Sequence, residues 1–308
     1  MSTPEINPIV LTTLGRTGSN LLAGLLGEHP SIVTYEPQRV ESRYASYWVQ
    51  IFLSMSDKRS AINPLRQNLL YGHKKNIFDE SNTEEDIWKS RFSPKEVKYW
   101  FAGNYINELR EFCLQSISQY YRKVSDSQNK KNVCFFCEKF LPDPFTKTFL
   151  RIIPSSVEIF LVRDFRDMLC SIFAFNEKRG TVQFGREKFT TDKEYVIRHV
   201  GPAVEDMRRS WKKRKKDSIL VKYEDLITNT QNEIKKIFQY IGIDYSDEIV
   251  RKTLYQAERK MPEAQKAHKT CILAENSIGR YKRELPKEMD KLCYRVFGDA
   301  LKCFGYDS

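Results

Sequence analysis

Short apolar runs alternate with helical patterns along this chain. Residues 9–14 are apolar and partly β-branched, which predicts a buried strand. Gly15 breaks this run, and leucines at positions 21, 22, 25 and 26 then recur with the spacing of a helix. The beginning of the chain therefore predicts a strand, a tight turn and a helix in direct succession.

Further apolar runs predict four more strands, at residues 32–36, 132–137, 157–162 and 218–223. Helical patterns lie between and after them, at residues 44–55, 104–124, 165–175, 230–240 and from 286 onward. Short strands separated by helices indicate an α/β fold whose central, mostly parallel sheet is flanked by helices. We expect one domain over residues 1–308, with a helical insertion at about 40–130.

Polar residues stand where the predicted strands end. They are Arg16, Glu36, Glu138, Lys139, Arg163 and Tyr223. Because a parallel sheet binds its ligands outside the carboxyl ends of its strands, we expect these side chains to converge on one edge.

The turn after the first strand has the composition of an anion site. A strand, turn and helix in this order aim backbone N–H groups and the positive end of a helix dipole at an anion. Thr17, Ser19 and Asn20 offer side-chain donors, Gly18 permits close approach, and Arg16 adds a positive charge. The alternative is an ordinary turn with an exposed arginine. A triphosphate-hydrolysing P-loop is excluded, because no Lys follows the second glycine.

The charge of the chain favours anionic ligands. Its 308 residues carry a net charge of +11, which fits an anionic cofactor, an acidic substrate or nucleic acid. The densest basic cluster, residues 208–216, is interpreted as a solvated helix face, and no nucleic-acid motif accompanies it. We therefore expect no nucleic-acid partner.

Seven cysteines without regular spacing argue against a disulfide framework. Cys134 and Cys137 are interpreted as two buried thiols in a strand, because no second pair or spaced histidines suggests a metal site. The first residues lack the pattern of a signal peptide, and no apolar run is long enough to span a membrane. A cytoplasmic protein without a membrane span or bound metal is the expectation.

Three separated segments together resemble the sulfotransferases that use 3′-phosphoadenosine 5′-phosphosulfate (PAPS). Residues 15–22 are similar to the family's 5′-phosphosulfate loop, and residues 277–282 to the late loop that covers the cofactor. In the segment LVRDFRDMLCSIFAFN, Arg163 and Ser171 stand eight residues apart, as in the family's 3′-phosphate motif. The resemblance implies the P-loop-like sulfotransferase fold. Because the first loop has Arg16 rather than Lys, the chain is closer to bacterial and carbohydrate-type members than to animal cytosolic ones.

The resemblance also implies which residues bind the cofactor or its product, the 3′,5′-bisphosphate (PAP). These are Arg16, Thr17, Gly18, Ser19, Asn20, Arg163, Ser171, Tyr223, Gly279, Arg280 and Lys282. Tyr223 stands where the family often has a tyrosine that contacts adenine. A salt bridge with Asp164 or Asp167 is the alternative for Arg163. Phe165, Asn20 and Tyr281 replace residues that are more usual in the family.

The catalytic assignment rests on the same resemblance. Arg16 is expected to stabilise developing charge, Glu36 to act as the general base, and Lys139 to help hold the sulfonate. Glu138 and His29 are further candidates for the base, because Phe140 stands where animal members have a catalytic histidine. Glu36 could instead be a structural carboxylate paired with Arg16 or Arg39.

A small-molecule acceptor is the expected partner, bound by the helical insertion. Its aromatic residues Tyr44, Tyr47, Trp48, Trp100 and Tyr105 could line the acceptor pocket, and a core role is equally open for most of them. Two other classes compete with a sulfotransferase: a nucleotide or small-molecule kinase, and a non-catalytic protein that binds nucleotide or nucleic acid.

Overall fold

The computed structural model describes residues 6–35, 44–56, 105–260, 270–271 and 274–306. In these ranges the strands are β1 (Asn7–Thr13), β2 (Ile32–Thr34), β3 (Phe135–Phe140), β4 (Val157–Val162) and β5 (Ser218–Lys222). Glu36 lies outside the described residues. So do residues 40–43 and 57–104 of the expected insertion, which include Trp100. The insertion itself, and the single domain around it, stay predictions.

Helices connect the strands. The longer ones are α1 (Ser19–Gly27), α2 (Tyr44–Ser56), α3 (Tyr105–Ser127), α4 (Pro144–Ile152), α5 (Phe165–Arg179), α7 (Gly201–Arg214), α9 (Thr230–Ile241), α10 (Asp247–Arg259) and α12 (Lys287–Phe304). The shorter ones are α6 (Asp192–Tyr195), followed by a π-helical turn at Val196–Val200, α8 (Tyr223–Thr228) and α11 (Tyr281–Glu284). Single 3₁₀ turns occur at Arg186–Lys188 and Glu275–Ser277.

The described strands form one parallel sheet in the order β2-β3-β1-β4-β5. The predicted α/β fold with a parallel central sheet is therefore confirmed. β1 lies in the middle, where Val10 pairs with Glu138 on one side and with Glu158 on the other. This position brings the loop after β1 between its neighbours at the carboxyl edge.

Helices bury both faces of the sheet. Ile9 and Leu11 face α1, α9 and α10, and this packing forms one apolar cluster. On the opposite face, Val10 packs under α2, α3 and α4, whereas Phe160 packs under α5, α7 and α12. Alternate residues of β1 thus enter different cores, which explains why Ile9, Val10 and Leu11 form an unbroken apolar run.

Strand β3 lies further along the chain than predicted. Pairing with β1 begins at Phe135, opposite Asn7, and continues to Phe140. Asn132, where the strand was expected to begin, has a left-handed φ of 62°. The sequence predicted that Cys134 and Cys137 are both buried in this strand. Cys137 is buried there, but Cys134 precedes the strand and is exposed. Glu138 lies inside the strand rather than at its end.

Other boundaries are close to the predicted ones. Gly242 ends α9 in the left-handed conformation, and Asn229 precedes its first turn, as expected. Helix α5 continues past Phe175 to Arg179. Tyr223 begins α8 instead of completing the fifth strand. β2 is short, with three residues.

The basic cluster at the end of α7 is only partly a solvated face. Lys212, Lys213, Lys215 and Lys216 are exposed. Arg214 instead forms a salt bridge of 2.8 Å with Glu158, whose side chain is 3% exposed. Among the residues that the structure describes, no helix has both the length and the apolar character of a membrane span.

Candidate functional site

Two residues of the loop between β1 and α1 have left-handed backbone conformations. Arg16 has a φ of 64° and Gly18, the N-cap of α1, has a φ of 94°. A Cβ at position 18 would run into the ring of Tyr223, so only glycine fits there. Thr17 is buried and donates its hydroxyl to the Leu14 carbonyl at 2.9 Å. Thr17 therefore holds the loop in shape.

Arg16 links this loop to α5. Its Nε donates to Ser171 Oγ at 3.1 Å, and its guanidinium lies 4.6 Å from the centre of the Phe175 ring. Burial, together with the positive charges of Arg163 and Arg280, lowers the pKa of Arg16 to about 10. The structure thus brings Arg16 and Ser171 together, although the resemblance placed them at different phosphates.

Arg163 follows β4 and is 4% exposed. Its two terminal nitrogens donate to backbone carbonyls, at 3.1 Å to Arg16 and at 2.6 Å to Ser277. Its guanidinium also lies over the ring of Tyr223, 4.5 Å from the centre. The Nε of Arg163 is buried without a hydrogen-bond partner. One donor of this arginine is therefore left over for a ligand.

The expected alternative partners of Arg163 are engaged elsewhere. Asp164 forms a salt bridge of 2.7 Å with Arg166. Asp167 accepts hydrogen bonds from two backbone N–H groups, those of Gly279 at 2.6 Å and Tyr281 at 2.8 Å. Burial raises the pKa of Asp167, while these hydrogen bonds lower it. Asp167 therefore anchors the late loop to α5.

The late loop closes the same side of the site. Tyr223 and Ser277 share a hydroxyl hydrogen bond of 2.9 Å. Arg280 is 3% exposed, donates to Thr270 Oγ1 at 3.0 Å and forms a salt bridge of 2.6 Å with Glu284. Lys282 is exposed, with its Nζ 5.7 Å from the centre of the Tyr281 ring. The loop thus places Arg280 inward and Lys282 at the surface.

Three arginines meet at this edge of the sheet. The charges of Arg163 and Arg280 both lower the pKa of Arg16, so each of these two guanidinium groups repels that of Arg16. An anion between them would relieve this repulsion, and the helix start at Gly18 favours the same charge. The arrangement can bind an anion such as a phosphate.

Glu138 does not face this site. It shares the face of Val10 and is fully buried, where it accepts hydrogen bonds from Ala45 N at 3.3 Å and from the Tyr121 hydroxyl at 3.3 Å. Burial raises its pKa to about 8. These hydrogen bonds hold the carboxyl group under α2, and we do not propose it as the base.

The other candidate catalytic groups lie at different ends of the sheet. Lys139, the next residue of β3, is half-buried and pairs in register with Leu11. His29 precedes β2, at the opposite end of the sheet from the arginines. Its Nδ1 accepts from Ser31 N at 3.0 Å, and its Nε2 lies 3.0 Å from the Asp244 carbonyl. His29 is therefore a structural residue.

The aromatic residues proposed for the acceptor pocket separate into two groups. Tyr44 stacks on Tyr120 with ring centres 3.9 Å apart, and Trp48 packs edge-on against Phe112 at 5.5 Å. Both side chains therefore join α2 to α3, which favours the core role that the sequence left open. Tyr47 is 62% exposed. Tyr105 begins α3.

Three residues shape the site in ways that the sequence did not reveal. Asp167 fastens the late loop, Ser277 offers its carbonyl to Arg163, and Phe175 supports the guanidinium of Arg16. Asp167 stands in the first turn of α5, next to the charged residue Arg166, so its residue type alone did not mark it as the anchor of the late loop. Ser277 acts through its backbone, so its residue type carried no signal.

Comparisons with known proteins agree with this geometry. The family model of the sulfotransferase domain matches residues 7–305. Sulfotransferase 1 family member D1 of Mus musculus is 27% identical over 159 residues, which cover 49% of this chain and 47% of that protein. The matched part thus spans about half the length of this relative.

Two solved structures are similar over nearly the whole chain. The sulfotransferase domain from the curacin biosynthetic pathway has a TM-score of 0.52 and 13% identity, covering 97% of this chain and 98% of that one. The sulfotransferase domain from the Synechococcus PCC 7002 olefin synthase has a TM-score of 0.48 and 15% identity, covering 100% and 98%. The first of these likenesses shows the fold alone. The family model matches nearly all residues of the chain. The chain therefore belongs to the sulfotransferase domain family.

Proposed function

We propose that this chain transfers a sulfonate group from PAPS to a hydroxyl or amine of a small organic acceptor. The observation that supports the proposal best is the convergence of Arg16, Arg163 and Arg280: Arg163 donates to the Arg16 carbonyl at 3.1 Å, and the charges of Arg163 and Arg280 both lower the pKa of Arg16. PAPS carries anionic groups at both its 3′ and 5′ positions, so it needs cationic partners on more than one side. A site with a single phosphate-binding loop would not need three arginines.

The residues present fit PAPS. Thr17 and Gly18 in the turn before α1, with Ser19 and Asn20 at the start of that helix, suit the 5′-phosphosulfate, because their N–H groups stand at the positive end of the helix. Arg163 suits the 3′-phosphate, because its buried Nε lacks a partner in the structure.

Further residues complete the proposed cofactor site. Ser171 contributes its hydroxyl beside Arg16, and Tyr223 offers a ring near Gly18 for the adenine. Gly279, Arg280 and Lys282 belong to the loop that covers this side, with Arg280 inside it and Lys282 at its surface.

When bound, the cofactor supplies an activated sulfonate whose leaving group is a phosphate. Arg16 holds a fixed positive charge beside the first loop, oriented by Ser171 and the Phe175 ring. Glu36 is our proposed proton acceptor for the acceptor hydroxyl or amine, and Lys139 our proposed partner of the sulfonate. The Arg16→Ala variant should lose turnover far more than affinity for the bisphosphate. Equal losses in both would make Arg16 a binding residue only.

The base is tested separately. We expect Glu36→Gln to lose most of its turnover while it binds the bisphosphate as the parent does, because the amide cannot accept the proton. Glu138→Gln is the matched comparison and should keep its turnover. A Glu36→Gln enzyme with a nearly normal rate would remove Glu36 as the base.

Binding measurements distinguish the proposed function from its competitors. Thermal unfolding is followed with adenosine 3′,5′-bisphosphate, adenosine 5′-monophosphate, ATP and a DNA oligomer. We expect only the bisphosphate to stabilise strongly, by about 2.7 kcal/mol at a concentration one hundred times its Kd. The Arg163→Ala variant should lose the preference for the bisphosphate over the monophosphate. Stabilisation by ATP would favour a kinase, and stabilisation by DNA a nucleic-acid-binding protein.

A further inference from the structure

The segment that follows α5 is held in a conformation that its sequence does not favour. Phe184 has a φ of 65°, in the left-handed region that residues with a Cβ rarely adopt. The Tyr195 hydroxyl donates to the Phe184 carbonyl at 3.0 Å. The amide of Asn176 accepts from Gln183 N at 3.1 Å and donates to the Gln183 carbonyl at 3.3 Å. Buried partners thus hold both Phe184 and the preceding residue Gln183, as strained backbone requires.

The ring of Phe184 lies against the candidate site. A Cβ at Gly15 would be only 3.1 Å from the nearest carbon of this ring. The ring also meets Phe175 edge-on, with centres 5.5 Å apart and planes at 75°. Phe175 in turn carries the guanidinium of Arg16 on its face, at 4.6 Å. Phe184 therefore contacts both the backbone beside Arg16 and the ring on which the Arg16 side chain lies.

We propose that Phe184 is a positioning residue for Arg16. It limits the movement of the first loop at Gly15, and it holds Phe175 in the orientation that supports the guanidinium. This inference rests on the proposed function, because Arg16 must be positioned for sulfonate transfer. It adds a residue from a segment outside the three motifs that resemble the family.

Two substitutions of Phe184 separate the ring from the backbone. Phe184→Ala removes the ring and keeps a Cβ at a left-handed position. Phe184→Gly removes the ring and also suits the backbone, since glycine adopts positive φ readily. We expect both variants to lose about 10-fold or more in kcat, while the Kd for adenosine 3′,5′-bisphosphate changes by less than about 3-fold. A role in folding alone predicts that Phe184→Gly recovers the parent rate.

Phe189→Ala is the matched control in the same segment. The Phe189 ring lies 6.0 Å from that of Tyr195 and 6.1 Å from that of His199. Loss of this ring should leave kcat close to that of the parent. Parent-like kcat in both Phe184 variants, or the same loss in Phe189→Ala, would overturn the proposal.

A measurement without turnover keeps the inference separate from the proposed function. Phenylglyoxal modifies arginine side chains, and peptide mass spectrometry gives the rate at Arg16 and at Arg163. In Phe184→Ala we expect modification of Arg16 to become several-fold faster, with the rate at Arg163 unchanged. If the parent neither binds the bisphosphate nor transfers sulfonate, the proposed function fails while this comparison still decides the role of Phe184. Equal Arg16 rates in parent and variant would refute it.

Discussion

Replacing Glu138 by glutamine should make the stability of this protein less dependent on pH. Glu138 is fully buried in β3 and accepts hydrogen bonds from the Ala45 N–H and the Tyr121 hydroxyl. Burial disfavours its charged form and raises its pKa from 4.5 to about 8, although these hydrogen bonds act in the opposite direction. A glutamine side chain has nearly the same shape and can still accept from Ala45.

The sign of the effect follows from the raised pKa. The folded protein binds the Glu138 proton more tightly than the unfolded chain does, so this carboxyl group stabilises the fold below pH 4.5 and destabilises it progressively as the pH rises towards 8. Between about pH 5 and 7.5 the loss accumulates at about 1.4 kcal/mol per pH unit, less the partial titration at each end, or about 3 kcal/mol. Glutamine does not titrate and should not show this loss.

Urea unfolding followed by tryptophan fluorescence measures the difference. Trp48 lies on α2, the helix whose Ala45 N–H bonds to Glu138, and reports the relevant packing. The free energy of unfolding of Glu138→Gln, relative to the parent, should rise by about 3 kcal/mol across that pH range. Glu258→Gln, a change at an exposed position of α10, is the control, and its free energy of unfolding should follow that of the parent at every pH. Parallel pH profiles of Glu138→Gln and the parent would refute the reasoning.

Three further predictions concern the site and the sheet. Gly18→Ala should weaken bisphosphate binding by about 10-fold or more in calorimetry, because its Cβ meets the Tyr223 ring and its φ is left-handed. Arg163→Lys should weaken the same binding by a similar factor despite its retained charge, because lysine cannot replace the planar fork. Arg214→Ala should cost about 3 kcal/mol of unfolding free energy by leaving Glu158 buried and unpaired, with bisphosphate affinity unchanged. An Arg214→Ala protein as stable as the parent would show that Arg214 is not needed to compensate the buried charge of Glu158.

Much of the sheet could be predicted because apolar runs report burial directly. Strand β4 has the predicted bounds, and β1 is buried on both faces, as its continuous apolar run indicates. Strand β3 was misplaced by three residues at each end for a related reason. Residues 132–140 contain apolar side chains on both faces, so periodicity could not show where pairing begins. With the strand ending at residue 137, Glu138 would lie at the carboxyl edge of the sheet; because the strand continues to Phe140, Glu138 lies in the core.

The three arginines of the site could be found from the sequence, but the residues that hold them and the late loop in place could not. The three motifs that carry Arg16, Arg163 and Arg280 come together at one edge of the site. The contact that fastens the late loop joins Asp167 to Gly279 N across 112 positions, and no local pattern encodes such a pair. Phe184 was equally invisible, because its role depends on a backbone conformation rather than on its residue type.

The way each arginine is held determines how much charge it offers to an anion. Arg280 already has a carboxylate partner, because Glu284 lies 2.6 Å away on the same short helical turn. Arg163 is hydrogen-bonded to two carbonyl oxygens, which orient its guanidinium without neutralising the full positive charge. A buried cation whose hydrogen bonds go to carbonyl oxygens gains more from an arriving anion than one already in a salt bridge with a carboxylate. Arg163 should therefore contribute more than Arg280 to binding the bisphosphate, although both arginines are buried to the same degree.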